Sequence, residues 1–529
     1  MNFKEMMVPF VLAFTAAWAI QHFVLNKFMP SGQTGTEKVA TFVAPQTELA
    51  CKPLNMEVDF IDSAKTPKVN RTMVDTVWGQ AVFSTEGASL ERLTFKRIVD
   101  GSELMLSTVE PVASTEKEDR CFLVAFEEKT PFYYDFIDRR ENDTQIQIEY
   151  QAVTDNSVIR KTFIVYKDVY KIDLKLAVET KGNQTFVPRI FYTAPHMVEG
   201  AGIQASTTSD VKPRSQALDI PSSIVITNAG VFEKTAKNSL TSHQGWYEPT
   251  MFGGDSAYFI HAMVADAQHF VQRAYYRQGG GTNLISIIEG PSVENSSEFT
   301  VSFYFGPKEF DAVGAVDPRL EQAFDYSGIL APVSRLLLKI LKWLFSYLGN
   351  YGYAIIALTV LMKLLLFPFT YKSEQSMKQR VDMKKKLDYI QHKYKNDPER
   401  LAQERADLLK KHGMPGLGGC LPLLLQIPMF IALSTILRSS IELHKAPMLW
   451  IPDLSAADPY YLLPLGVALS MLLQASGADA QQRMTGIAMA LVFGAVATSF
   501  SAGLALYIFV STLLGVFQGY VVRVFKLVK

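Results

Sequence analysis

A single lysine, Lys363, stands inside the run "VLMKLLLFPF" of residues 360–369, which is otherwise apolar. An ionisable group there costs about 2.5 to 3.5 kcal/mol to insert into a bilayer, so it marks either a functional site or a side chain that snorkels to the surface. Thr370, at the end of the run, is seven residues further on. That is about 10 Å along a helix, of which the lysine stem covers about half. The other apolar runs hold no Asp or Glu to pair with it, whereas a proton or ion relay needs such carboxylates. A lysine without a counter-ion must face a water-filled groove, with Thr359, Gln426, Ser434, Ser511 and Thr512 as its polar lining. A hydrated positive site of this kind suits an anion arriving from outside the protein.

Other chemistry is poorly served. There is no GxSxG, HExxH or P-loop, and "GGG" at 279–281 has the composition of a turn without the strand-to-helix context of a phosphate loop. Three cysteines occur, with no CxxC and no Cys/His cluster of metal-ligand spacing. The expectation is a chain that is not an enzyme, with no catalytic residues, metal or cofactor. Cys51 and Cys121 leave a disulfide open. Acidic and basic residues number 52 each, for a net charge of zero, which excludes a generally basic nucleic-acid binder; the charge is clustered instead.

The elements that position the lysine follow from composition. Met6 to Leu25 is an apolar stretch of about 20 residues, read as an uncleaved anchor (residues 1–27) because Trp18, Gln21 and His22 sit where a signal peptide has small residues before its cleavage site. Residues 28–54 read as a linker. From 55 to 328, segments such as "MEVDFID", "TQIQIEYQA", "VIRKTFIVY", "VYKIDLKLAV", "HFVQRAYYR" and "SSEFTVSFYF" predict strands with Gly, Asn, Asp and Pro turns, hence a large all-β sandwich. Residues 329–349 predict an amphipathic helix in the membrane interface, with Arg335, Lys339, Lys342 and Ser346 on its polar stripe.

Residues 350–529 then carry spans at about 352–370, 418–437, 460–474, 484–500 and 503–521. With the first anchor they make a mixed architecture of a polytopic six-span α-helical bundle plus the β domain. The loop 371–413 has about a dozen Lys and Arg, so it stays in the cytoplasm. That puts both termini inside and the β domain outside. Two apolar stripes in this loop, with Asp397 as N-cap and Pro398 at N1, predict a helical hairpin whose basic patch includes Lys384, Lys385 and Lys386.

"KLLLFPFT", "PGLGGCLPLLLQIPMFIAL", "SIELHKAPMLWIPDLSAADPYYLLPL" and "SAGLALYIFVSTLLGVFQ" closely resemble the YidC/Oxa/Albino family of membrane insertases. The match is close in order and spacing over about 350–520; over residues 40–330 it is architectural, similar to the periplasmic β domain of Gram-negative members. The resemblance implies a five-helix core with a groove open to the cytoplasm and to lipid and closed on the outer side. It implies Lys363 at the position usually held by arginine, five before the Pro of the span, with Thr359 and Gln426 as groove partners. Lysine keeps the charge and loses the planar fork of donors. An apolar slide for a departing substrate helix maps to Leu424, Ile427, Phe430 and Tyr507. Two positions depart from the family: Ile508 stands where some members have a second Tyr, and Ala502 replaces the Pro of a "PSG" turn. The short C-terminal tail leaves the 371–413 hairpin as the docking site for a ribosome.

The expected function is insertion and folding of nascent inner-membrane proteins, alone or beside a Sec translocon, with the phospholipid bilayer as a further partner and no sequence-specific nucleic acid. Twenty apolar residues release on the order of 6 to 12 kcal/mol on entering lipid, enough to draw a short charged tail across without nucleotide. Two other readings stay open at this point. A small-solute transporter predicts two-sided access to a midplane site; a carbohydrate-processing β domain on an anchor predicts that deleting residues 55–320 abolishes function.

Overall fold

The structure is a computed structural model of the chain. It describes residues 52–61, 68–99, 102–109, 117, 120–127, 129–181, 185–196, 198–199, 221–240, 244–279, 283–324, 331–395, 398–412, 429–437, 440–475 and 480–524. The chain divides into two compact units, one built on the β-rich residues up to Ser327 and one on the helices from Gly328 onward. The first anchor (6–25), most of the linker and Cys51 lie outside the described residues.

The β unit contains three antiparallel sheets. The largest runs from edge to edge through Phe232–Ala236, Ser222–Ile226, Met251–Asp255, Phe259–Asp266, Ser296–Pro307, Lys171–Thr180, Ser157–Tyr166, Gln145–Val153 and Asp135–Glu141. Alternation decides its packing. Along Gln145–Val153 the residues alternate strictly between half-exposed and buried, so Ile146, Ile148, Tyr150 and Ala152 all point into the core. Two five-stranded sheets complete the unit, and Phe83, Phe95, Phe122, Phe163, Ile190, Phe252 and Ile288 from all three share one apolar cluster.

"MEVDFID" departs from its expected strand. Residues 52–60 form an extended strap whose main interstrand contact is an isolated bridge from Phe60 to Thr130. The strap's carbonyls are taken by side chains instead of a neighbouring strand. Arg189 donates to Asn55 O at 2.6 Å, to Glu57 O at 3.1 Å and to Phe126 O at 2.7 Å. Arg273 donates to Lys52 O at 2.8 Å while gripping both oxygens of Glu289 at 2.9 Å, and the Tyr275 hydroxyl donates to Asn55 O at 2.7 Å. Leu54, Met56, Val58 and Phe60 pack on Phe191, Tyr275, Ile285 and Ile287. This cover explains why Arg273–Gln278 and Leu284–Glu289 are buried on successive residues instead of alternating.

Two buried polar groups fix the interior. The Lys161 amine, fully buried, donates to the carbonyls of Gly87 and Ala88 at 2.7 Å and of Phe122 at 2.6 Å, three acceptors that offset the burial that pushes its pKa well below the ordinary value. His261 stacks on Phe305 and bonds Thr193 O through Nδ1 at 2.9 Å and the Thr108 hydroxyl through Nε2 at 3.1 Å. Cys121 is a free, buried thiol, pushed up to about 12 by burial.

A short helix α1 (Phe310–Val316) and a 3-10 turn (Pro318–Ala323) follow the last strand and pack Val313, Leu320, Ala323 and Phe324 on the largest sheet. The helical unit comprises α2 (Ala331–Leu348), α3 (Tyr351–Lys393), α4 (Pro398–His412), α5 (429–437), α6 (Leu462–Ala475), α7 (Ala480–Ala497) and α8 (Ala502–Val524). Gly349, at φ +69°, ends α2, and its N–H returns to Phe345 O at 2.8 Å. Asn350 then caps α3, accepting from Gly352 N–H at 2.8 Å while its amide donates to Pro447 O at 2.8 Å. Thus α2 and α3 meet at a defined corner.

The span expected at 352–370 is the first part of α3, which runs 43 residues through Pro368 and on into the basic segment. The spans expected at 460–474, 484–500 and 503–521 correspond to α6, α7 and α8; of 418–437 only 429–437 is described, and it is helical. Among the described residues, Tyr351–Pro368 and Ala502–Val521 are long and apolar enough to cross a membrane, while α6 and α7 carry shorter apolar stretches, Leu462–Gln474 and Gly486–Ala497.

Candidate functional site

Lys363 falls on the inward side of α3. Ile355 and Thr359, eight and four residues before it and so on its side of the helix, are 0% and 1% exposed. Leu361, Leu364 and Leu365 lie further round the helix from Lys363 and are exposed, the last two at 67% and 66%. Lys363 is itself half-buried, and no described acidic residue pairs with it. A lysine aimed at lipid would extend the row of exposed leucines; this one continues the buried row instead.

The hydroxyls expected to line the groove are spread over three helices and largely turned to their own backbones. Thr359 donates to Ile355 O at 2.7 Å and Ser434 donates to Ile431 O at 2.9 Å. Ser511 is buried on α8. Thr512 is partnered more specifically: its Oγ1 lies 2.6 Å from Ser470 Oγ of α6 and 2.9 Å from Ile508 O. Sequence reading missed Ser470, a small polar side chain whose role arises only at the crossing of α6 and α8. Gln426 lies outside the described residues.

The packing that holds these helices uses small residues. α8 packs against both α3 and α6, and α7 packs against α6. A Cβ on Gly466 would come within 2.9 Å of the Phe509 ring, and one on Gly494 within 2.9 Å of Ala468 Cβ. Close approach of this kind stabilises helix pairs where no hydrophobic driving force exists between them.

Of the residues expected on the apolar slide, Tyr507 is buried on α8 and Phe430 is half-buried on α5, while Leu424 and Ile427 lie outside the described residues. Lys384, Lys385 and Lys386 all lie within α3, with Lys386 exposed, and Pro398 opens α4 as expected. Asp397 lies outside the described residues, and α4 packs against α3.

One end of the helical unit is tied by the loop 442–461, an arrangement that sequence reading did not anticipate. Ala502 N–H donates to Ala456 O at 2.6 Å and Gly503 N–H to Leu454 O at 2.8 Å, while a Cβ on Gly352 would collide with Met448. The first of these bonds needs an N–H that proline lacks, so alanine at 502 has a use of its own.

Comparison with known proteins agrees with this architecture. The "YidC periplasmic domain" family matches residues 71–340, and the "60Kd inner membrane protein" family matches residues 343–527. A Geotalea uraniireducens protein named "Membrane protein insertase YidC" is 30% identical over 475 residues, covering 85% of this chain and 86% of that one. The chain belongs to the YidC family of membrane protein insertases. A Geobacter metallireducens YidC is 29% identical, covering 90% of this chain and 89% of the relative. A crystal structure of an active YidC insertase with its first transmembrane domain resolved covers 88% of this chain and 95% of that one, at 17% identity and a TM-score of 0.36. YidC proteins are insertases and not enzymes. Membership makes this chain an inner-membrane protein whose β-rich unit is the YidC periplasmic domain.

Proposed function

We propose that the chain inserts nascent inner-membrane proteins and helps them fold, through a hydrophilic groove open to the cytoplasm and to lipid. A substrate's short acidic tail enters the groove, drawn by Lys363, with Thr359, Gln426, Ser434, Ser511 and Thr512 as its polar lining. Its hydrophobic segment slides over Leu424, Ile427, Phe430 and Tyr507 into the bilayer. The observation that carries this reading is the half-buried Lys363 on the same side of α3 as buried Thr359. Moving an acidic tail outward is favoured by a membrane potential positive outside, by about 2.3 kcal/mol per charge per 100 mV.

The same reading assigns six spans, with both termini and the hairpin 371–413 in the cytoplasm and α2 lying in the interface. Support for the orientation is the excess of Lys and Arg in that hairpin. The hairpin, with Lys384, Lys385, Lys386, Asp397 and Pro398, then serves as the ribosome's docking site, and the chain works alone or with the Sec translocon. The boundaries read from the sequence, with residues 55–328 outside and the insertase core from 350 to 529, go with this assignment.

The test is insertion of a short single-span substrate with an acidic N-terminal tail into vesicles holding wild-type, Lys363→Ala or Lys363→Arg protein. Insertion should fall about tenfold with Ala, equivalent to about 1.4 kcal/mol, and persist with Arg. Full activity with Ala would overturn the role of the lysine and leave the apolar slide to carry the mechanism.

A further inference from the structure

Between Glu442 and Leu462 the helical unit carries a loop whose chemistry is turned inside out for a water-facing segment. Residues 446–462, "APMLWIPDLSAADPYYL", contain two charges, Asp453 and Asp458. Both carboxylates are engaged by the loop itself. Asp453 Oδ1 accepts from Lys445 N–H at 3.0 Å, Ser455 N–H at 2.8 Å and the Ser455 hydroxyl at 2.7 Å. Asp458 accepts from Tyr460 N–H at 3.1 Å and Leu463 N–H at 2.7 Å, and takes the Trp450 indole N–H at 3.2 Å. Met448 and Ile451 exchange both main-chain bonds at 2.8 Å. Much of the loop's polar capacity is thus spent internally, which is what entry into a low-dielectric layer demands.

What faces outward is apolar and aromatic. Leu449 is 72% exposed, Trp450 38%, Tyr460 68% and Tyr461 57%. Leu449 and Tyr461 hold φ values of +52° and +56°, a left-handed conformation that such residues rarely adopt. The surface continues without a break into the exposed stripe of α6, Leu462, Leu465, Leu469 and Leu473, at helical spacing.

We propose that residues 449–461 form a ledge seated in the interfacial layer of the lipid bilayer, with Leu449 and the Trp450 ring at the acyl boundary and Tyr460 and Tyr461 at the headgroups. Trp and Tyr favour that layer because each joins an apolar ring to a polar tip. Trp450 has its indole donor satisfied by Asp458, so its ring enters without an orphaned N–H. Residues 446–462 contain no Lys or Arg, so zwitterionic lipid is sufficient and the attachment is insensitive to salt. The ledge rests on reading α3 and its neighbours as lipid-spanning.

The experiment is tryptophan quenching of the full chain in phosphatidylcholine vesicles brominated either near the headgroup or deep in the acyl chain. The difference between wild type and Trp450→Phe isolates residue 450 from the other four tryptophans. Shallow bromines should quench that difference emission more than deep ones. Placing the reporter one residue earlier, Leu449→Trp in the Trp450→Phe background, should restore the quenched component and guards against loss of the Asp458 bond. A Leu364→Trp reporter tests the span separately. Quenching at 364 without quenching at 449 or 450 would overturn the ledge and point to a protein or water at that face. No quenching at any of the three would overturn the span assignment and the ledge with it.

Discussion

The hydroxyls of Ser470 and Thr512 meet at 2.6 Å where α6 packs against α8, and Thr512 is also bonded to Ile508 O of its own helix. Each hydroxyl has one proton, so if Ser470 donates across the interface, Thr512 is free to donate back along α8. Interhelical bonds of this type are worth about 0.6 kcal/mol on average within membranes and reach about 1.7 kcal/mol. Ser470→Ala and Thr512→Val should each lower unfolding stability in bicelles by that order. The double variant should cost clearly less than the sum. Additive losses would show that the two hydroxyls do not act as a pair.

His261 predicts an acid-sensitive β unit. Thr193 O can only accept, so Nδ1 carries the proton and Nε2 accepts from Thr108, which defines a neutral ring. Burial lowers the pKa of this histidine to about 3, against an ordinary value of 6.5. Between those values the unfolded chain binds a proton that the folded chain refuses, so stability rises with pH across the window and is lost as pH falls from about 6.5 toward about 3. The slope from this one group is at most about 1.4 kcal/mol per pH unit. Denaturant midpoints of wild type and His261→Gln, measured from pH 4 to 7, should converge at the acid end. Parallel curves would assign the acid sensitivity elsewhere.

Arg189 predicts a releasable strap. Truncation to Ala removes the donor to three carbonyls, those of Asn55, Glu57 and Phe126. An unsatisfied buried group costs about 1 to 3 kcal/mol, and the strap's alternative is to leave the sheet and find water. Limited proteolysis of Arg189→Ala should therefore cut within residues 52–61 at concentrations that leave wild type intact. The melting temperature of the β unit should fall less than global unfolding would require. Unchanged cleavage would mean that Leu54, Met56, Val58 and Phe60 hold the strap without the arginine.

How much of this was legible depended on whether the deciding partner was local. The strand Gln145–Val153 was readable because its alternation is written in adjacent residues. Helical spacing alone puts Lys363 four residues from Thr359 and on its side of the helix, whereas the burial of Thr359 needed the packed helices. Strap residues 56–60 look like a strand by the same rule, yet the carbonyl partners Arg189 (to Glu57 O) and Arg277 (to Met56 O) lie far along the chain, and no local pattern announces them. Ser470 stayed hidden for a similar reason, because its role exists only where α6 meets α8. Asp453 and Asp458 read as ordinary loop acids until the geometry showed which N–H groups they collect.

α3 spans 43 residues from Tyr351 to Lys393, about 65 Å at the rise of an α-helix. Mechanically it is one lever, with Lys363 near one end and the basic residues 384–386 near the other. Its weakest point is set by Pro368, which has no N–H to offer the carbonyl of Leu364 and crowds it instead, so bending is easiest one turn beyond the lysine. A load on the basic tip arrives as a torque at that joint. On the proposed topology, the charge in the membrane and the arm outside it are therefore coupled by the stiffness of a single helix, with no intervening loop to absorb the motion.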